Sequence, residues 1–153
     1  MHPILKRHLR RIMGIWPPFL GAGIRVTRLQ PDWRAVDVEM KLHFWNTNFV
    51  GTHYGGSLYS MTDPFYMLML IKNLGDGYVV WDKSASIRFR KPGKGNMQAK
   101  FRLSQEQIDS IRLQLETQEK VEPVFQVEVK NESGEIVAEV QKLLHVRNKA
   151  GKE

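Results

Sequence analysis

Asp63 is the residue of this sequence best placed to do chemistry. It is the one acid in a long apolar run from Ser57 to Leu74, and residues 64–71 carry no charge. A carboxylate set in an apolar groove can take a proton from water or attack an electrophilic carbon. Asp63-Pro64 also reads as a helix start, an N-cap followed by proline at the first helical position. Both roles stand side by side. The stretch ahead reads Asn48-Phe49-Val50-Gly51-Thr52-His53-Tyr54-Gly55-Gly56. Gly55 and Gly56 allow close approach of backbone to a ligand, and N–H groups at a helix N-terminus are free to bind a carbonyl oxygen. Gly56 N–H is the candidate oxyanion donor, with an ordinary turn before a Ser57-capped helix as the alternative. Asn48 can orient a water or a carbonyl, or bond its own backbone in a turn. His53 and Tyr54 are candidates for hydrogen bonds to substrate, and Tyr54 is equally an aromatic wall. Ser57 lacks the G-x-S-x-G surroundings of a nucleophile elbow. Arg88, Arg90, Lys91 and Lys94 cluster near one turn, either to meet an anion or to protect a solvated strand edge. The remaining histidines show no ligand spacing, and no metal site is expected.

These residues need positioning elements, and the pattern supplies them. Ile4, Leu5, Leu9, Ile12 and Met13 share one face of a basic amphipathic helix over residues 3–14. Trp16-Pro17-Pro18-Phe19 is expected to end it, with Gly21 and Gly23 as loop residues. Ile24 and Val26 begin one strand. Val36, Val38, Met40 and Leu42 alternate with Asp37, Glu39 and Lys41 in the next, the period of a half-buried antiparallel strand. A helix apolar on every side, as residues 64–71 would form, must be buried on every side. Ala85, Ile87 and Phe89 then share a strand face opposite Ser84, Ser86, Arg88 and Arg90. Lys91 to Gly95 is a turn, and Met97, Ala99, Phe101 and Leu103 face inward after it. Ser104 and Gln107 have capping-box spacing for a helix over 105–118. Two strands, about 124–131 and 135–146, join through Asn131-Glu132-Ser133-Gly134. Six antiparallel strands around one long apolar helix describe an α+β domain, a single unit over 1–153.

Composition narrows the partners. The hydrophobic fraction of 42% and charged fraction of 25% are those of a soluble globular domain. There is no cysteine, so disulfides and thiolate chemistry are excluded. With no secretory leader in view, a cytoplasmic setting is expected. The apolar run is too short to span a bilayer, so no stable membrane insertion is expected. The net charge of +7 favours anionic partners or is simply a solvated surface.

The element order resembles the hotdog fold, an antiparallel sheet wrapped around a long central helix. The pattern N-x-x-G-T-x-Y-G-G-S-L-x-x-M-x-D-P resembles the loop–helix signature of hotdog thioesterases of the phenylacetyl-CoA type. It is closer still to a group of uncharacterised, thioesterase-like hotdog proteins. Asn48, Gly51, Gly55, Gly56 and Asp63 match the signature's spacing. Tyr54 stands where the signature has histidine, and His53 lies one place earlier. Ser86-Ile87-Arg88-Phe89-Arg90-Lys91-Pro92 resembles the family's strand leading to a turn near coenzyme A. The resemblance implies an acyl-CoA thioesterase with Asp63 as base or nucleophile, Gly56 N–H as oxyanion donor and Asn48 as orienter. It implies substrate contacts from His53, Tyr54 and Gly55, and phosphate contacts from Arg88, Arg90 and Lys91. It also implies a homodimer or homotetramer with the site between chains, and no cofactor beyond the coenzyme A of the substrate. The competing expectations are a non-catalytic module that binds acyl-CoA or an acyl chain, and a dehydratase using His53 with Asp63. Nucleic-acid binding, resting on net charge alone, is not expected.

Overall fold

Alternating apolar and polar residues build most of the sheet. In the computed structural model, which describes residues 12–149, β1 (Ile24–Leu29) and β2 (Ala35–Met40) pair antiparallel. β3 (Tyr78–Phe89), β4 (Met97–Arg102), β5 (Lys120–Val121), β6 (Val124–Lys130) and β7 (Ile136–Asn148) complete seven antiparallel strands. Their order is β1-β2-β4-β6-β7-β3, with the short β5 also on β7. This is the hotdog architecture expected from the sequence. Val36, Val38 and Met40 of β2, Met97, Ala99 and Phe101 of β4, and Val127 and Val129 of β6 all face the helices and are buried. The hairpin at 131–134 closes through Gly134 N–H to the Asn131 carbonyl at 3.0 Å.

The central helix is not continuous. α2 (Gly55–Ser60) and α3 (Phe65–Leu74) are separated by a turn at 61–64. Pro64 causes the break: it has no N–H to give to residue 60, and its ring would collide with that carbonyl. Phe65, Tyr66, Met69, Leu70 and Leu74 turn to the sheet and are buried. Phe101 of β4 meets Phe65 at 4.8 Å and Tyr66 at 5.3 Å between ring centres. Tyr66 stacks on Phe125 at 4.5 Å and donates its hydroxyl to the Gln126 carbonyl at 3.0 Å. Burial on every side, expected for this helix, is not met: Met67 and Leu68 are half-buried and Ile71 is exposed.

Several boundaries differ from the pattern reading. The helix expected over 3–14 lies outside the described residues through residue 11, while 12–15 are helical. Pro17 and Pro18 open α1 (Pro17–Ala22) rather than lead into a loop, because a first turn does not need their missing N–H groups. Gly21 is therefore helical, and Gly23 ends the helix at φ 76°. β2 stops at Met40, short of Leu42, and β3 begins at Tyr78, well before Ser84. α4 (Gln105–Gln114) has the expected capping box, with Gln107 N–H to Ser104 Oγ at 3.1 Å and Ser104 N–H to Gln107 Oε1 at 2.9 Å. It ends four residues before 118, in turns at 115–117. No helix among the described residues is long and apolar enough to cross a membrane.

Among the described residues, β3 is an edge strand of 12 residues that pairs only with β7. Its Ser84-Ala85-Ser86 centre is exposed. At the packing centre, replacing Phe101 with alanine is expected to lower unfolding free energy by about 3–5 kcal/mol. Urea melts check this, and a loss below about 1 kcal/mol would contradict the packing described.

Candidate active site

The loop 43–54 is held by its own polar side chains. Asn48 accepts from Val50 N–H at 3.1 Å and Thr52 N–H at 3.0 Å, and donates to Thr52 Oγ1 at 2.8 Å and the His53 carbonyl at 3.3 Å. Its amide is committed to building the loop. Asn46 fixes the other end, donating to the Ala22 and Lys41 carbonyls, both at 2.8 Å. His53 is buried, and its Nε2 lies 2.8 Å from the Gly95 carbonyl. Its N–H donates to the Gly93 carbonyl at 2.8 Å. His53 therefore pins the loop to the 92–95 turn. Burial lowers its pKa below the ordinary 6.5, against the hydrogen bond to Gly95, which raises it.

The paired glycines occupy the first turn of α2, and their N–H groups have no acceptor among the described residues. Tyr54, not Ser57, is the residue before the helix, and Ser57 lies within it. Side chains cover both glycines closely. A Cβ on Gly56 would sit 2.4 Å from the Tyr54 ring, and one on Gly55 would sit 3.0 Å from the Phe89 ring. A cleft opens on each flank of this turn. One, of 620 Å³, has Gly55, Leu58, Phe89 and Lys94 on its walls. The other, of 710 Å³, runs between α1 and the loop past Pro17, Trp45, Phe49, Tyr54 and Gly56.

Asp63 lies at the opposite end of α2, in the helix break. Its side chain caps nothing: α3 begins after Pro64 with no side-chain cap bond. Instead Asp63 Oδ1 accepts from Tyr59 Oη at 3.0 Å and from Lys142 Nζ at 2.9 Å. Oδ2 has no partner among the described residues, and the side chain is 48% exposed. Lys142, from β7, is fully buried, and its ammonium also reaches Asp82 Oδ2 of β3 at 3.2 Å and Tyr59 Oη at 3.3 Å. Burial alone would lower the Lys142 pKa, but the hydrogen bond to Asp63 and the charges of Asp82 and Asp63 outweigh it and hold it above the usual lysine value. Lys142 is therefore an ammonium at neutral pH. Burial raises the Asp82 carboxyl, with Lys142 opposing, and burial likewise raises the Tyr59 hydroxyl.

The expected residues thus form two groups and an outlier. Asn48, His53, Tyr54, Gly55 and Gly56 gather at the N-terminal turn of α2. Asp63 stands seven residues on, beyond the end of α2 in the turn at 61–64. Arg88 and Arg90 lie on the outer face of the sheet with Glu139, which Arg90 binds at 2.7 Å. Lys91 bonds Glu135 and, with Asn131, holds that carboxyl down to about 2. Arg88 and Lys94 have no acidic partner among the described residues. Tyr59, Asp82 and Lys142 were not singled out by pattern. The available signal was Lys142 itself, a charge on the apolar face of a strand between Val140 and Leu144. Among the described residues no group of three His, Asp or Glu side chains is arranged to hold a metal.

Comparison with solved structures places this fold among thioesterase-like hotdog proteins. A Pseudomonas aeruginosa protein of unknown function, PA5026, described as a probable thioesterase, superposes with TM-score 0.79 at 26% identity, covering 97% of each chain. The Haemophilus influenzae thioesterase HI1161 superposes with TM-score 0.67 at 14% identity, covering 94% of this chain and 91% of its own. A hypothetical thioesterase of Streptococcus pneumoniae, in an aspartate-to-alanine variant, gives TM-score 0.58 at 19% identity over 82% of this chain and 92% of its own. A search of curated proteins finds no match. Residues 6–146 match the family model described as a domain of unknown function, DUF4442, and the chain belongs to that family.

Unfolded His53 takes up a proton near pH 6.5, the folded residue only at lower pH, so acidification through that window favours the unfolded chain. Tm is expected to fall as pH drops from about 7.5 to about 5.5, with a shallower fall in His53→Gln. An identical slope in the two proteins would remove His53 as a source of the acid sensitivity.

Proposed function

We propose that this protein hydrolyses an acyl thioester, with acyl-coenzyme A as substrate. The observation that carries the proposal is Asp63: one oxygen is held by two donors and the other is free, at the break of the central helix. The likeness to thioesterase-like proteins over nearly the whole chain supports the same reading. In the proposed step, Asp63 Oδ2 takes a proton from water as the water oxygen bonds to the thioester carbon. The Gly56 N–H meets the carbonyl oxygen as charge develops there. The C–S bond then breaks, the thiolate leaves and takes up the proton, and acid and thiol are released. Direct attack by Asp63, followed by hydrolysis of the anhydride, gives the same products.

Gly56 and Asp63 of one chain are too far apart to share a thioester. A base, a water and a carbonyl in line span about 6–7 Å, whereas Gly56 and Ser60 alone are about 6 Å apart along α2 and Asp63 lies beyond Ser60. We therefore propose a homodimer, or a dimer of dimers, in which the loop of one copy meets the Asp63 of the other. The open edge of β3 supports this, because a long unpaired strand is a template for antiparallel pairing with a second copy. The Asp63 cluster lies against that strand through Asp82, and Phe89 at its end touches the glycine turn. A two-fold axis near Ser86, between Phe89 and the stretch of β3 beside Lys142, would bring the glycine turn of one copy to the Asp63 of the other. A cytoplasmic setting is part of the same proposal.

One observation favours a second reading, a non-catalytic module that binds acyl-CoA. His53 is buried in a structural contact and Tyr54 occupies the signature's histidine position, so no histidine is presented at that position. The dehydratase reading has less support, since His53 and Asp63 sit at opposite ends of α2. Thiol release from a panel of short, long and aromatic acyl-CoA esters decides. Asp63→Ala is expected to lose about 100-fold or more in turnover while keeping its fold by circular dichroism. Unchanged hydrolysis in that variant would refute the mechanism, and saturable binding without turnover would favour the module.

A further inference from the structure

We infer that Lys142 is the positioning residue of this site, fixing which oxygen of Asp63 reacts; the inference rests on the proposed hydrolysis. Its place in the sheet makes it unusual. The residues on its side of β7, Ala138, Val140, Leu144 and Val146, are apolar and buried. Packing alone would be served by another apolar residue, because burying an ammonium costs several kcal/mol before its partners are counted. Here Lys142 donates hydrogen bonds to Asp63 Oδ1 at 2.9 Å and Tyr59 Oη at 3.3 Å, and pairs with Asp82 Oδ2 at 3.2 Å. The ammonium also lies 5.2 Å from the centre of the Tyr59 ring. The lysine side chain is fully buried while Asp63 is half-exposed, so it acts through Asp63 and not on the substrate.

The consequence falls on the carboxylate. Both donors, Tyr59 and Lys142, converge on Oδ1 of Asp63. Rotation of the carboxylate would break two hydrogen bonds at once, one of them charge-assisted. The group is locked with Oδ1 toward the sheet and Oδ2 toward the open side. Asp82 holds Lys142 from the strand side, so the ammonium is fixed between two carboxylates. The break at Pro64 brings Asp63 within reach of the lysine, while the strand register holds Lys142 beside Ala85 of β3. Helix and sheet thus meet at one charged contact.

The test compares steady-state acyl-CoA hydrolysis by the full chain, Lys142→Met and Tyr59→Phe, with thermal melts of each. Lys142→Met is expected to lower kcat about 10- to 100-fold with KM within about threefold, since orientation and not binding is lost. Tyr59→Phe keeps the packing and removes the second donor. It is expected to lower kcat about three- to tenfold, and the double variant is expected to lose less than the product of the two. Should Lys142→Met fail to fold, Tyr59→Phe decides alone by the same split. Wild-type kcat in either folded variant overturns the inference, as does an effect confined to KM. Absence of turnover in the wild-type protein sinks the hydrolytic reading and the inference with it, whereas a full-strength Lys142→Met enzyme sinks the inference only.

Discussion

An ammonium with no access to water has to be met by charge, and Lys142 is met where the central helix breaks. The contact joins three parts of the fold: β7 supplies the lysine, β3 supplies Asp82, and the turn between α2 and α3 supplies Asp63. Without the break, Pro64 could not follow Asp63 and the helix would run on through the carboxylate's position. Without the lysine, Asp82 would lose its cation and Asp63 would keep only the Tyr59 hydroxyl. The apolar packing of Phe65, Tyr66, Phe101 and Phe125 stabilises the fold, but it does not specify where a charge must sit. Lys142 does.

The edge of β3 is the second constraint. Among the described residues its outer side is open over 12 residues, with the carboxylate held beside its centre and the glycine turn at its Phe89 end. On the proposed reading these are two half-sites of one shared site. In each, the chemical part is held by structure that does no chemistry: Asn48 and His53 build the loop, and Tyr59 and Lys142 hold the acid. Two clefts, of 620 and 710 Å³, open beside Gly55 and Gly56.

Much of this was legible in the sequence. Alternation located β1, β2, β4, β6 and β7, and Ser104 with Gln107 marked α4 through a capping box that forms as expected. The signature from Asn48 to Asp63 marked the loop and helix on which the proposed site is built. Other features depend on tertiary context. Pro17-Pro18 looks like an end and is a beginning, because the same missing N–H suits both. β3 was read from Ser84 only, since its first residues, Tyr78 to Trp81, are apolar on both faces and show no period of two. Asp63 looked like a helix cap, and only the approach of β7 shows what it binds. Lys142 was hidden by the habit of reading a lysine in a strand as solvent-facing, although its even-numbered neighbours are all apolar.

Subunit mixing tests the central claim most directly. Asp63→Ala and Gly56→Val, the latter placing a side chain where the Tyr54 ring lies, are each expected to be inactive alone. After the two are unfolded and refolded together, half the dimers carry one intact site, so activity should recover to about a quarter of the wild-type value. No recovery, with mixed dimers shown to have formed, would contradict a site shared between the glycine turn of one copy and the Lys142-held carboxylate of the other.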